Sequence, residues 1–173
     1  DSVASRGLGD VYKRQLRGST ALVADIGTDL VAYAALFVSA FTSATLLPGS
    51  SEAALLTLLT MGQANLVTLV GVATAGNVLG SLVNWALGRF LSGFRDHRWF
   101  PIDDRSFSRA SDWYGRYGVW SLLLSWLPII GDPLTVVAGA LRVDLSRFLI
   151  FVSIGKAARY LFVAGAFLWW SGS

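Results

Sequence analysis

Four ionisable side chains lie within otherwise apolar stretches of this chain: Glu52, Asp132, Lys156 and Arg159. Between Leu30 and Gly88 the one charged residue is Glu52, and between Tyr117 and Leu141 it is Asp132. Two acids and two bases in an apolar setting admit two chemistries. They can pair with one another, because an uncompensated charge there is very expensive. Alternatively, the carboxylates take up and release protons while the cations hold an anionic head group. Arg142 and Arg89, at the edges of apolar stretches, can grip a phosphate bidentately or merely snorkel to the interface. Both readings stay open on the residues alone.

Each acid sits at a break that would have to position it. Pro48 and Gly49 precede Glu52, and Pro128, Gly131 and Pro133 surround Asp132. Residues 28–47 form an apolar run of about the length that spans a bilayer. Ser50-Ser51-Glu52 then reads as the cap and first turn of a new helix ending at Met61. Its ten or so residues rise only about 15 Å, short of a hydrocarbon core of about 30 Å. A re-entrant half-helix is expected, with its break buried in protein or facing a cavity. The half-helix N-terminus also offers unpaired N–H groups to an anion. The second half repeats the arrangement. Residues 119–130 are apolar and too short to span, and residues 134–141 form a second half-helix after the Gly131-Asp132-Pro133 break.

Residues 65–90 and 146–170 are long enough to span. The first is rich in small residues, with Gly76, Gly80 and Asn84 on one face, where backbones can approach closely. Asn77 and Asn84 can hydrogen-bond across such a contact, in a packing or a functional role. Lys156 and Arg159 fall near the middle of the second, which ends on the interfacial anchor Trp169-Trp170. Between the halves, residues 89–117 hold arginines 89, 95, 98, 105, 109 and 116 against aspartates 96, 103, 104 and 112. Phe107, Ala110, Tyr114 and Tyr117 recur at helical spacing opposite Arg105, Arg109, Asp112 and Arg116. This predicts an amphipathic surface helix on the cytoplasmic side.

Composition excludes several classes. The chain is 54% hydrophobic and 14% charged, against roughly 45–50% and about 25% for soluble domains; it reads as an all-α, multi-pass membrane protein. With no cysteine and one histidine, His97 in the polar connector, neither a metal site nor a cofactor is expected. An intramembrane enzyme finds no nucleophile-plus-base set. A pI near 9.6 reads as positive-inside bias toward anionic lipid rather than as nucleic-acid binding. Residues 1–15, through Asp10-Val11-Tyr12-Lys13-Arg14-Gln15, resemble a translated sequencing adapter and are set aside. Residues 16–27 are a short polar segment, and no signal peptide is expected there. Residues 28–173 form one membrane domain: repeat 1 over 28–90, the connector over 91–117 and repeat 2 over 118–173.

The repeat is read from order and spacing. Pro48 to Gly76 spans 28 positions and Pro128 to Gly155 spans 27; Glu52 to Gly76 spans 24 and Asp132 to Gly155 spans 23. With the connector cytoplasmic, the two long helices run antiparallel, as an inverted repeat requires. A monomer of two spanning helices and two hairpins encloses little volume, which leaves room for a symmetric homodimer.

The stretch from Ser43 through Pro48-Gly49 to Glu52, Gly76-Asn77 with Gly80, and Leu87-Gly88-Arg89-Phe90 resemble the DedA membrane-protein family, in its YqaA-like branch. So do Arg116-Tyr117-Gly118, Leu124-Ser125-Trp126-Leu127-Pro128 with Gly131-Asp132, Ala138-Gly139, and Gly155-Lys156-Ala157 with Arg159-Tyr160. The likeness covers roughly residues 33–170. It implies the SNARE-associated, or VTT-domain, fold of two re-entrant hairpins with flanking helices, and a role in moving lipids such as undecaprenyl phosphate or phospholipid, with proton dependence. It also implies that Glu52 is the family's hairpin acid and Arg142 its arginine after the second hairpin. The chain departs at Ser125-Trp126, where the broader family has Arg-Phe. The expectation is a bacterial inner-membrane lipid or lipid-phosphate transporter or scramblase. Glu52 and Asp132 would titrate, and Lys156, Arg159, Arg142 and Arg89 would meet the head group. The alternative is a membrane scaffold whose buried charges are structural pairs.

Overall fold

A computed structural model describes residues 27–44, 49–61, 65–91, 104–127 and 130–172, all helix, turn or short connection. The proposed adapter segment, most of residues 16–27, His97, Pro48 and Pro128 lie outside the described residues. The chain divides into two units, residues 1–34 and 35–173. Of the first unit, the described residues are the opening turns of helix α1 (Gly27–Ser43); everything below concerns the second.

Helix α1 runs to Ser43, and the expected end of the apolar run at 47 lies outside the described residues. Ala44 is a turn whose carbonyl accepts a hydrogen bond from Asn84 Nδ2 at 2.8 Å, so a side chain satisfies a carbonyl near the helix end. Helix α2 (Ser50–Met61) begins after Gly49, whose φ of 98° lies where only glycine is unstrained. Helix α3 (Leu66–Leu91) is capped by Asn65, whose Oδ1 accepts from Val67 N–H at 2.8 Å. At 26 residues it measures about 39 Å.

Helix α4 (Asp104–Tyr117) buries Phe107 and Ala110, leaves Tyr114 half-buried and exposes Arg105, Arg109, Asp112 and Arg116. Tyr117, the last residue of the expected apolar stripe, is 50% exposed. Gly118, with φ of 59°, then turns the chain into a nine-residue 3₁₀ helix, Gly118–Trp126. Such a run is uncommon, since 3₁₀ winding seldom exceeds 3–4 residues. Helix α5 spans Gly131–Ala140. The break therefore falls earlier than expected: Gly131, Asp132 and Pro133 belong to the first helical turn. Proline fits there because first-turn amides have no intrahelical acceptor. The helix ends in a Schellman cap, with Val143 N–H on Ala138 O and Arg142 N–H on Gly139 O, both at 2.9 Å. Arg142 occupies the left-handed position of that cap, with φ of 56°. Helix α6 (Leu145–Ser171) is capped by Asp144, whose side chain accepts from the Ser146 and Arg147 amides.

Packing is backbone-close along α3. A Cβ at Gly80 would lie 2.6 Å from Phe41 O on α1, while Gly88 faces the Val136 carbonyl and Gly139 the Trp85 carbonyl across the α3–α5 seam. The contact order of α3 with α6, Asn77 to Tyr160 and Trp85 to Phe148, makes these two helices antiparallel. The 3₁₀ helix runs along α6 in the same sense, from Trp120 on Phe151 to Leu123 beside Gly155. Trp85, Leu134, Val137, Phe148 and Val152 form the buried core. Val67, Phe90, Phe162, Trp169 and Trp170 are each more than 70% exposed. Apolar side chains on this scale at the surface fit a lipid solvent rather than water.

Candidate functional site

Lys156, Arg159 and Tyr160 stand at i, i+3 and i+4 on α6, the spacing that puts side chains on one helix face. Each reaches a helix start. Lys156 Nζ donates to Asp132 Oδ1 at 2.9 Å in the first turn of α5, with the lysine 1% and the aspartate 23% exposed. The Arg159 guanidinium pairs with Glu52 Oε1 in the first turn of α2, at 11% and 15% exposure. Both carboxylates sit where a helix dipole favours negative charge. Tyr160, fully buried, donates its hydroxyl proton to Ser51 Oγ at 2.9 Å and accepts from Asn77 Nδ2 at 2.8 Å. Ser51 Oγ stands 3.1 Å from both Ser43 Oγ and Glu52 Oε2.

Glycines permit this convergence. Gly155, one residue before Lys156, lies under the 3₁₀ helix, where a Cβ would meet Leu123 O at 2.7 Å and Ser125 Oγ at 2.8 Å. Gly131 packs against the Ser125 carbonyl, beside Asp132. Thr135 Oγ1 donates to Asp132 O at 2.7 Å, steadying the same turn. The Ser125 hydroxyl is buried and lacks a hydrogen-bond partner among the described residues.

Of the residues singled out from sequence, Glu52, Asp132, Lys156, Arg159 and Asn77 come together here. Gly49 precedes the first helix start, and Gly131 and Pro133 flank Asp132 in the second. Asn84 lies apart, on Ala44 O. Arg142 is exposed and, ten residues beyond Asp132, about 15 Å along the α5 axis. Arg89 has its guanidinium carbon 5.1 Å from the centroid of the Trp85 ring, next to Gly88, which packs on Val136 and Ala140. These two arginines therefore flank the far end of α5, away from the charge pairs. Sequence reasoning missed Ser43, Ser51, Tyr160 and the cap Asp144. The helical spacing of Tyr160 after Lys156 was the available signal.

The arrangement holds two carboxylates and two cations from α2, α5 and α6 as adjacent ion pairs, linked through hydroxyls to α1 and α3. The VTT domain profile matches residues 47–168, which encloses every one of these groups except Ser43. The chain is 43% identical over 139 residues to the inner membrane protein YqaA of Escherichia coli strain K12, covering 78% of this chain and 93% of that one. It is 38% identical over 143 residues to an uncharacterized protein of Haemophilus influenzae, covering 77% and 87%. Undecaprenyl phosphate transporter A of Staphylococcus aureus is 27% identical over 99 residues, covering 53% and 49%. No solved structure matches the chain significantly. An all-helical protein with exposed apolar helices, this chain belongs to the VTT-domain (DedA) family of membrane proteins.

Proposed function

We propose that this protein moves a lipid or lipid phosphate across the bacterial inner membrane. The observation that carries the reading is the meeting of two acid-bearing helix starts on one face of α6, Asp132 on Lys156 and Glu52 on Arg159. Helices α2 and α5, with 12 and 10 residues, rise about 18 and 15 Å and are too short to cross a hydrocarbon core of about 30 Å. In this reading they are the inner limbs of two re-entrant hairpins, in repeats over residues 28–90 and 118–173 with inverted topology. The charge cluster then lies at membrane depth, where ionisable groups are retained for a task. The connector 91–117 is cytoplasmic, and Arg89 and Arg142 wait on that side as a first contact for phosphate. Protonation of Glu52 and Asp132 releases Arg159 and Lys156 for an anionic head group, which makes transport proton-linked. The Staphylococcus relative, named as an undecaprenyl phosphate transporter, supports a polyprenyl phosphate as one substrate. A homodimer would enlarge the enclosed path.

A second reading rests on the pairing itself: each of the four charges has a partner of opposite sign, which is what a purely structural network in a membrane scaffold requires. Reconstitution separates the two. Residues 16–173 in liposomes are expected to move labelled phospholipid or polyprenyl phosphate, and Glu52→Gln to abolish that movement while the protein stays folded. Well-folded wild type that moves neither lipid favours the scaffold.

A further inference from the structure

The hydroxyls around Glu52 form a hydrogen-bonded chain whose direction is fixed from one end. Asn77 Nδ2 donates to Tyr160 OH at 2.8 Å, so the tyrosine must spend its own proton elsewhere; it donates to Ser51 Oγ at 2.9 Å. Ser51 is thereby filled as an acceptor on that side and keeps one proton to give. Two acceptors stand equally far from it, Ser43 Oγ on α1 and Glu52 Oε2 on α2, each at 3.1 Å. Serines 43 and 51, Asn77 and Tyr160 are all buried, which leaves the choice to protein groups. A charged carboxylate is the stronger acceptor. A protonated one is not, and the hydroxyl of Ser43 then competes for the same proton.

We propose that Ser51 is a two-position positioning residue: its hydroxyl binds Glu52 while that carboxylate is charged and turns to Ser43 when it is protonated. Tyr160, held by Asn77, keeps Ser51 to this choice. The protonation state of Glu52 is in this way transmitted to the α1–α2 contact. The mechanism deepens the transport reading, because it gives protonation of the first hairpin acid a mechanical consequence at the hairpin's own break. Among the described residues, Arg159, Lys156 and Tyr160 on α6 and Asp132 on α5 are the titratable groups that interact with Glu52. Ser43, Ser51 and Asn77 add no charge, so variants at the serines test the hydrogen bond alone.

The test is the titration of Glu52 in reconstituted protein, read by infrared difference spectroscopy with the carboxyl band assigned through Glu52→Gln. Ser51→Ala removes the donor to the charged form and is expected to move the midpoint up by about one pH unit. Ser43→Ala removes the alternative acceptor, which serves the protonated form, and is expected to move it down. Tyr160→Phe should follow Ser51→Ala with a smaller shift, since Ser51 loses only the polarising bond from behind. Midpoints that move in the same direction for the two serines, or that do not move, overturn the proposal. Ser43→Ala alone decides it if Ser51→Ala does not fold. Lipid movement in the same vesicles is a separate readout. Opposite shifts in a protein that moves no lipid keep the switch and overturn transport, whereas transport without opposite shifts does the reverse.

Discussion

Lys156 and Arg159, one turn apart on α6, tie down two different helix starts: Lys156 holds Asp132 of α5, and Arg159 holds Glu52 of α2. The last helix is thus the common post to which both short helices are fixed.

Removing one member of such a pair leaves a buried charge behind. Lys156→Met is expected to destabilise the protein by about 3–5 kcal/mol, because Asp132 then stays uncompensated. The double variant Lys156→Met with Asp132→Asn should recover most of that loss. Unfolding in detergent or by steric trapping measures both. Equal losses in the single and double variants would show that the pair contributes packing alone.

The α3–α5 seam makes a sharper steric prediction. Gly139→Ala sets a methyl group against the Trp85 carbonyl and Gly88→Ala sets one against the Val136 carbonyl; neither neighbour is a flexible side chain. Each should cost at least about 1–3 kcal/mol. Gly71→Ala meets nothing within 4 Å and should be neutral or stabilise by up to about 1 kcal/mol through helix propensity. Thermal melts of the three variants side by side give the comparison.

Arg142 occupies a cap position that glycine would fill without strain. Arg142→Gly is expected to stabilise the protein by about 1 kcal/mol, while Arg142→Ala, with a Cβ retained, should not. Both lose the guanidinium. If Arg142 receives the phosphate, both lower lipid movement in liposomes, and the glycine variant does so while melting at a higher temperature.

Topology is open to cysteine labelling, because the chain has no cysteine of its own. Ser108→Cys on α4 and Ser146→Cys at the start of α6 should react with an impermeant maleimide from the cytoplasmic side, and Ser171→Cys from the opposite side. All three positions are exposed. Labelling of Ser108 and Ser171 from the same side would overturn the orientation.

Local signals predicted the elements well where the residues themselves set the boundaries. The start of α3 at Asn65 and the apolar lengths of α3 and α6 were readable, as was the isolation of Glu52 and Asp132. The hydrogen bond from Asn84 to the Ala44 carbonyl, 40 positions away, was not. The 3₁₀ winding of residues 118–126 was hidden as well, since a run of Leu, Ser and Trp fits 3.0 and 3.6 residues per turn equally well. Tyr160 and Ser51 could be placed on helices from sequence, but their meeting depends on how three helices pack.

The two tethers on α6 differ in when they can form during synthesis. Lys156 follows Asp132 by 24 positions, but Arg159 follows Glu52 by 107. A ribosome adding about 5–20 residues per second completes the second connection almost as soon as its acid is made. Glu52 must wait several seconds longer for its cation than Asp132 does. The start of α2 is therefore the later of the two helix starts to be fixed, and its tie to α6 joins an early helix to the last of those described.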